Sequence, residues 1–531
     1  MSDHAGGTSE PGRVGADAAG VPPKVARPPS SRSAPARGLK PPFDDIVAGL
    51  TVALVLIPQS VAYAALAGLP PSAGLVAAIF PPIVAAVFAS SPYLQTGPTA
   101  LASLLTLGIL SSLVPPGSTA YVEMAALLAL MVGLMRVVIG ALRFGAIAYF
   151  MSLPVLRGFT SGAAVLIVAS QVPSVLGIDP GRRAVWSAAW HASRDPAAWN
   201  LGAVALALLT LVLVRGSRRI SPLIPGTLLA VVAGIALSHW LGNLGSLVGE
   251  MPSSLPLPSL DFRWARAADL ALGAAVIAIV GFAEPAAIAR TFAERSRPWN
   301  ADRELVAQGI ANVVSGLVRG FPVGGSFGRS ALGRQAGART RLSGAVAGLA
   351  VLAFFPFAGV LETLPRSVLG AIVMTAAWSL LDLRSLFRLW RVARLQATTA
   401  LVTFALTLVL APRVDYAVIL GVSLALFTHL YREAQLGVRF ERDNGTIRVE
   451  LDGVLWFGST QALEKVLNRI ENQLAGVSCV VVDATHLGRI DFSALMMLHD
   501  LETRLRLRGL DVRLEGMHGR SERIMERIRR G

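Results

Sequence analysis

Apolar stretches about as long as membrane-spanning helices follow one another along most of the chain, with short polar connections between them. About seven lie before a proline-rich polar link at 251–266, and about seven lie after it. The stretches are 46–66, 74–89, 99–113, 124–142, 156–176, 201–214 and 223–241 in the first half, and 270–292, 305–318, 324–336, 343–361, 368–381, 397–410 and 416–430 in the second. The pattern predicts an all-α polytopic membrane domain over 43–435, with about fourteen transmembrane segments.

One predicted segment, 324–336, is interrupted by glycines and carries arginine in otherwise apolar surroundings. Lipid cannot satisfy free backbone groups, so irregular backbone at membrane depth is tolerated only where it lines a protein-enclosed cavity. We expect the chain to unwind at Gly324, Gly325 and Ser326 and a short helix to begin near Phe327. Its free N–H groups and positive dipole end favour an anion, and Arg329 adds a fixed cation.

The same kind of break occurs in the third segment of the first half, which begins Gln95-Thr96-Gly97-Pro98-Thr99-Ala100. Because seven is an odd number, two halves of seven segments insert with opposite orientations, and their third segments correspond. The sequence therefore predicts a seven-plus-seven inverted repeat in which two half-helix N-termini meet head to head. Such an arrangement, with one arginine, selects an anion.

Other polar residues lie within apolar segments. Glu284 is either a proton- or cation-coupling residue beside the anion site, or a structural partner of Arg329 or a helix end. Gln59 and Tyr63 lie one helical turn apart, so they either bind a ligand together or hold neighbouring helices. For Arg329 itself, the alternative is an arginine that reaches to the membrane interface.

A small α/β domain is predicted from about residue 436, where charged residues begin to alternate with apolar ones. The predicted strands are 447–455, 479–483 and 512–514, and the predicted helices are 460–474, 493–508 and 521–530. Ser493 is placed to be the N-cap of its helix, and the alternative is a regulatory phosphorylation site there.

Composition excludes an ordinary soluble enzyme, since 53% of the residues are hydrophobic and 15% are charged. The net charge of +15 comes from arginines in alternate short connections, which predicts that those connections and both termini are cytoplasmic and argues against nucleic acid as a partner. With one cysteine and scattered histidines, we expect no disulfide, metal site or cofactor. Residues 1–42, rich in Gly, Ala, Pro, Ser and Arg, predict a disordered cytosolic tail rather than a signal peptide.

Taken together, these motifs resemble the SulP family of anion transporters, the sulfate permease family whose animal members include prestin and pendrin. The resemblance is carried by Pro58-Gln59, Ala62-Tyr63, Leu69-Pro70-Pro71, Thr96-Gly97, Gly281 with Glu284, Gly309-Ile310-Ala311-Asn312, Gly320-Phe321-Pro322, Gly325-Ser326-Phe327, Arg329-Ser330 and Gln335 to Thr340. The C-terminal region resembles the STAS domain, and Ser493 falls where STAS-type antagonists carry a phosphorylatable serine.

The resemblance implies a fold shared with uracil permeases, with a core domain (segments one to four and eight to eleven) moving past a gate domain in an elevator-like motion. It implies substrate binding by Gln59, Tyr63, Thr96, Gly97, Thr99, Ala100, Gly325, Ser326, Phe327, Gly328 and Arg329. Glu284 matches an acid of proton-coupled sulfate members. The STAS domain would support a homodimer and cytosolic regulation.

The sequence therefore predicts a multi-pass transporter of the plasma (inner) membrane that moves a small inorganic anion, namely sulfate, together with a proton. Bicarbonate or C4-dicarboxylate transport, coupled to protons or sodium, and anion exchange remain alternatives. A channel or a membrane signalling receptor is a further alternative, although a receptor needs no paired broken helices with an arginine. No cluster of catalytic residues indicates an enzyme.

Overall fold

The computed structural model describes residues 43–146, 152–179, 181, 183–242, 244–251, 254–293 and 298–530. The predicted tail at 1–42 lies outside these residues. Everything below refers to the described part of the chain.

The first half of the membrane domain is helical except for one short strand between its second and third helices. The helices are α1 (Phe43–Leu66), α2 (Pro71–Phe88), α3 (Ala100–Leu110), α4 (Thr119–Ala141), α5 (Leu153–Val175), α6 (Val185–Arg194), α7 (Leu201–Ile220) and α8 (Gly226–Leu241), and the strand is β1 (Thr96–Gly97).

The second half repeats this order. Its elements are α9 (Ala267–Thr291), α10 (Ala301–Leu317), β2 (Gly324–Gly325), α11 (Phe327–Gln335), α12 (Leu342–Phe354), α13 (Arg366–Trp378), α14 (Leu383–Val392), α15 (Arg394–Val409) and α16 (Val414–Glu433). A 3₁₀ helix, Phe355–Thr363, continues α12.

Each predicted apolar segment overlaps one of these helices, so the prediction of a mostly helical membrane domain is confirmed. Among the described residues, nine helices are long and apolar enough to cross a membrane, and α3, α8 and α15 are shorter apolar helices. The count of about fourteen spans therefore stays a prediction. Helices α6 and α14 were not predicted, because their charged residues were assigned to connections.

Glycines let helices from the two halves approach closely. A Cβ on Gly133 of α4 would lie 2.5 Å from the Val313 backbone nitrogen, and one on Gly309 of α10 would lie 2.7 Å from that of Val137. On α12, a Cβ at Gly348 would lie 2.5 Å from the Ile79 carbonyl oxygen of α2. Small residues at such contacts provide the close packing that holds helices together in lipid.

The closest helix packing divides the membrane domain into two groups. Helices α1, α2, α4, α10 and α12 pack with one another, and α4 also packs on α9. Helices α5, α7, α13, α15 and α16 form a second set of contacts, in which a Cβ on Gly158 of α5 would lie 2.2 Å from the Ala400 carbonyl oxygen of α15. Both groups combine helices from the two halves of the chain.

The C-terminal domain has its own hydrophobic core around one four-stranded sheet. Its elements are β3 (Gly437–Asp443), β4 (Thr446–Leu455), α17 (Thr460–Glu471), β5 (Cys479–Ile490), α18 (Phe492–Leu507), β6 (Asp511–Glu515) and α19 (Arg520–Arg530). The strand order is β3-β4-β5-β6, with an antiparallel hairpin followed by two parallel pairs. Asn444 and Gly445, both at positive φ, make the hairpin turn.

The predicted α/β domain is confirmed, with two local corrections. Strand β3 was missed because it is an edge strand whose charged residues read as a polar link. The N-cap prediction for Ser493 was wrong. Asp491, the residue immediately before α18, is the N-cap: its side chain accepts a hydrogen bond from the Ala494 N–H at 2.9 Å. Ser493 already lies inside the helix and cannot take this position.

Asp45, near the start of α1, is fully buried and ties this helix to the connection between α11 and α12. Its Oδ1 accepts hydrogen bonds from the backbone N–H groups of Arg339 and Thr340 at 2.7 and 3.0 Å, and its Oδ2 accepts from the Thr340 hydroxyl. These bonds fix the end of the broken segment against the first helix.

We expect Asp45→Ala to lower the free energy of unfolding by about 1–3 kcal/mol, because the partly buried backbone N–H groups of Arg339 and Thr340 lose a charged acceptor. The control is Asp44→Ala, which removes only an exposed ion pair with Arg339 and should cost less than about 1 kcal/mol. Thermal unfolding in detergent measures both. Equal melting temperatures for the two variants would contradict the role assigned to Asp45.

Candidate anion-binding site

The two interrupted segments meet, as the predicted repeat requires. Strands β1 and β2 pair antiparallel, with Thr96 opposite Gly325 and Gly97 opposite Gly324. All four residues are buried. The pairing satisfies backbone groups that the breaks would otherwise leave without partners away from water.

A short helix begins immediately after each break. The Thr99 hydroxyl caps α3 by accepting from the Ala102 N–H at 3.3 Å, and the Ser326 hydroxyl caps α11 by accepting from the Arg329 N–H at 3.5 Å. These caps leave earlier N–H groups, including those of Ala100 and Gly328, without intrahelical partners. Both helix N-termini therefore offer donors and positive dipole ends at one place.

Arg329 is only 1% exposed, so it is not an arginine that reaches to the membrane interface, and that alternative was wrong. Its Nη1 donates to the Gln59 Oε1 at 3.3 Å. Its Nε and Nη2 have no hydrogen-bond partner among the described residues. A buried cation with unused donors is costly, and an anion would satisfy both the charge and the donors.

Helix α1 supplies the two other predicted side chains. Gln59 is 8% exposed and Tyr63 is 5% exposed, and they lie one turn apart. The Tyr63 hydroxyl is within electrostatic range of both Arg329 and Glu284. The structure thus brings Gln59, Tyr63 and Arg329 together, as expected.

Glu284 lies on α9, immediately before Pro285, and its carboxylate faces the start of α11. It lies beside the Phe327 N–H and within electrostatic range of Arg329. The two side chains form no ion pair within 4.0 Å, so the structure does not show the structural pair with Arg329. The position beside the Phe327 N–H does fit the other structural alternative, a partner for a helix end, and the coupling role of Glu284 stays a prediction.

Open space adjoins these groups at the start of α11. A Cβ on Gly328 would have no atom of the described residues within 4 Å, and Phe327 is half exposed and stacks on Phe292 with ring centroids 5.6 Å apart. By contrast, a Cβ on Gly97 would lie 3.4 Å from the Arg329 Nη2. The free space is therefore on the Gly328 side of the break.

Polar residues of α10 brace both breaks, and the sequence analysis gave them no role. Gln308 donates from Nε2 to the Thr96 hydroxyl oxygen at 2.8 Å. The Asn312 side chain accepts from the Val323 N–H at 2.9 Å and donates to the Val323 carbonyl at 3.0 Å. Both residues are fully buried. Their amide side chains within the predicted apolar segment 305–318 are the sequence signal that could have identified them.

Arg136 on α4 was also missed, although an arginine inside an apolar segment is a strong indicator of a structural or functional role. It is fully buried and donates to the carbonyl oxygens of Ile277, Ala278 and Val323 at 2.9, 3.1 and 3.2 Å. It therefore connects α4 to α9 and to the residue that precedes β2.

Comparison with known proteins identifies the membrane domain. Residues 43–403 match the Sulfate permease family, and residues 438–529 match the STAS domain. The chain belongs to the sulfate permease family. Membership makes it a membrane anion transporter, and it confirms the resemblance inferred from the sequence.

Relatives and solved structures agree with this assignment. A probable sulfate transporter of Mycobacterium tuberculosis is 34% identical over 494 residues, covering 88% of each chain. The inward-facing structure of the murine Solute Carrier 26 family member A9 anion transporter has a TM-score of 0.85 at 20% identity, covering 93% of this chain and 88% of that one. The transmembrane domain of a cyanobacterium bicarbonate transporter has a TM-score of 0.62 at 25% identity, covering 72% and 97%.

Ser493 in the STAS domain is exposed and occupies the second position of α18. A phosphate there would lie at a helix N-terminus, where negative charge is favoured. Its regulatory role stays a prediction.

Arg329 and Arg136 offer a matched pair, because both are buried but only Arg136 has hydrogen-bond partners for all three guanidinium nitrogens, whereas Arg329 has a partner for one. In the unsubstituted protein, an anion at about 100 times its Kd should stabilise the fold by about 2.7 kcal/mol. We expect Arg329→Met to abolish this stabilisation by the anion. The substitution should not lower the stability of the anion-free protein, because it removes a buried charge that lacks an ionic partner. Arg136→Met should lower intrinsic stability by about 2 kcal/mol, because charge-assisted hydrogen bonds are lost. Melting curves with and without sulfate measure both quantities, and an Arg329→Met protein that is still stabilised would remove Arg329 from the site.

Gly97 is predicted to be intolerant of a side chain, because its φ of 148° strains other residues and a Cβ would crowd the Arg329 guanidinium. We expect Gly97→Ala to weaken anion binding about tenfold, the size of one strained backbone position. Gly216→Ala is the control, since its Cβ would meet nothing within 4 Å on α7. Calorimetric titration with the anion measures the affinities, and equal affinities would contradict this role for Gly97.

Proposed function

We propose that this protein takes up sulfate together with protons by an elevator-like mechanism. The observation that carries the proposal is the buried Arg329 guanidinium, with two unpartnered nitrogens, between two converging helix N-termini. A divalent oxyanion presents enough acceptor oxygens to meet the guanidinium and the backbone N–H groups of both helices at once.

The choice of sulfate rests on the relative that is 34% identical over most of both chains and is named a probable sulfate transporter. A guanidinium and backbone N–H groups also suit bicarbonate, a C4-dicarboxylate or chloride exchange. Bicarbonate is the second candidate, because a neighbour in fold is the transmembrane domain of a bicarbonate transporter.

Proton coupling rests on the position of Glu284 beside the Phe327 N–H. When ionised, its carboxylate competes with the anion for this N–H group and repels the anion. When protonated, it no longer repels the anion and becomes a hydrogen-bond donor. Anion and proton are therefore expected to bind together and to leave together.

The elevator-like motion rests on the division of the membrane domain. Every residue proposed to bind the anion or the proton lies on α1, on α9, in the β1–α3 segment or in the β2–α11 segment. Helices α1, α2, α4, α9, α10 and α12 belong to one packing group, while α5, α7, α13, α15 and α16 form the other. Helix α11 packs on α1 and α9 of the first group, and α3 packs on helices of both groups. We propose that the first group moves with the anion past the second, within a homodimer whose STAS domains and termini are cytoplasmic.

The test is uptake of labelled sulfate into proteoliposomes of purified protein, with and without an inward proton gradient, in competition with bicarbonate, succinate and chloride. Accumulation that depends on the gradient and on sulfate supports the proposal. Uptake of bicarbonate or succinate without uptake of sulfate would contradict sulfate as the substrate and would leave the proposed location of the anion-binding site unchanged. Accumulation driven only by sodium would replace the coupling ion.

We expect Glu284→Gln to keep anion binding and lose proton-driven accumulation, because the amide mimics the protonated acid and cannot release a proton. Counterflow of labelled sulfate without a gradient should persist. Asp269→Asn on the same helix is the control, since Asp269 makes only an exposed ion pair with Arg266, and this variant should accumulate sulfate normally. Undiminished accumulation by Glu284→Gln would exclude Glu284 from coupling.

A further inference from the structure

Helix α14, Leu383–Val392, is a short amphipathic helix that none of the roles above explains. Its apolar face is Leu383, Leu386, Phe387 and Trp390, which recur at the i, i+3, i+4 and i+7 spacing of one helix face. The helix is defined at its start by Asp382, whose side chain accepts from the Ser385 N–H at 3.2 Å.

Only part of the apolar face is covered by the protein. Leu386 is buried, at 4% exposure, and α14 packs on α5 and α15. Phe387 is 73% exposed and Trp390 is 47% exposed. An exposed phenylalanine and tryptophan side by side mark a surface that meets another molecule.

The face beside it is strongly basic. Arg384, Arg388 and Arg391 recur at i, i+4 and i+7, and all three are exposed. None of them makes an ion pair or a hydrogen bond with another residue of the described chain, although Asp382 lies within electrostatic range of Arg388. The three cations are thus available to anionic groups outside the protein.

The chain holds this helix at the membrane boundary. Four residues, which span at most about 14 Å, separate it from the apolar helix α13, and one residue separates it from α15. Since α15 and α16 pack together across a short connection, they run antiparallel, and α14 lies at the end of the membrane domain where α16 leads into the STAS domain.

We propose that α14 lies in the membrane interface and binds the headgroups of anionic phospholipids. Phe387 and Trp390 enter the region between headgroups and acyl chains, and Arg384, Arg388 and Arg391 meet lipid phosphates. If the STAS domain is cytoplasmic, as proposed above, the helix faces the leaflet that carries most anionic lipid. Through Leu386 and the bond from the Asp382 N–H to the Ser161 hydroxyl, the lipid contact would hold α5.

The depth of the helix is tested in the full-length protein. Cys479 is the only cysteine, so a Cys479→Ser background allows one fluorescent label at Phe387→Cys or at Arg388→Cys. In nanodiscs, a nitroxide on the upper acyl chain should quench the label at 387, and aqueous iodide should quench the label at 388. Equal iodide quenching at both positions would overturn the interfacial placement.

Headgroup selection is tested by energy transfer from a donor fluorophore at Val392→Cys to a trace amount of acceptor-labelled phosphatidylglycerol or phosphatidylcholine in the nanodisc. We expect phosphatidylglycerol to be enriched at least about fivefold near the helix, the factor expected for one surface cation. The triple variant Arg384→Gln, Arg388→Gln, Arg391→Gln should lose this enrichment, and the corresponding triple lysine variant should keep it. The two leaflets of a nanodisc have the same lipid composition, so the result does not depend on the direction in which the protein is inserted.

The matched control removes three exposed arginines from α19 of the STAS domain, as Arg520→Gln, Arg527→Gln and Arg530→Gln. It changes the net charge equally and should leave the enrichment intact. Equal energy transfer to the two lipids in the unsubstituted chain, or enrichment that survives the glutamine substitutions in α14, would overturn the proposal. Neither measurement requires transport, so the result stands apart from the choice of substrate.

Discussion

The structure depends on one constraint, which is that backbone groups freed by a break in a membrane helix must find partners inside the protein. The two breaks solve this jointly, because β1 and β2 satisfy each other. Thr99 and Ser326 then cap the helices that follow, and Asn312 satisfies both backbone groups of Val323. The N–H groups of Ala100 and Gly328, at the two helix starts, have no intrahelical partners, and open space lies beside Gly328.

Two buried arginines show how the same side chain serves different purposes. Arg136 gives its donors to three backbone carbonyls, and this fixes α9 and the approach to β2. Arg329 has one neutral partner, Gln59, and two unused nitrogens. A buried charge without a compensating partner destabilises the empty site. An anion that binds to Arg329 would remove this destabilisation, and the free energy recovered would add to its affinity.

Local sequence patterns were sufficient for the features that depend on local chemistry. The glycine breaks at 97 and 324–325, the arginine at 329 and the switch to a soluble domain all follow from apolar periodicity and its interruptions. The meeting of the two breaks was predicted from the odd number of segments in each half, which is an argument from symmetry and not from contacts.

What could not be predicted depends on side chains that meet across long separations in the chain. Arg136 lies in an apolar segment, and no residue near it in the sequence indicates that the carbonyl groups of Ile277, Ala278 and Val323 are its partners. The cap of α18 was misplaced by two residues, because Asp491 and Ser493 are both good N-caps and only the backbone decides between them. Helix α14 was missed because arginines between two apolar segments indicate a loop as well as an amphipathic helix.

The position of Glu284 determines how the proposed coupling of anion and proton would work. The acid and the anion would share one donor, the Phe327 N–H, at the start of the helix that carries Arg329. With the acid ionised, the helix end and the guanidinium already face a negative charge, so an incoming dianion meets repulsion and has fewer free donors. With the acid protonated, both donors are free. In this proposal, coupling by shared donors needs no movement of the anion between two separate sites, so the elevator-like motion proposed above would only have to carry one site across the membrane.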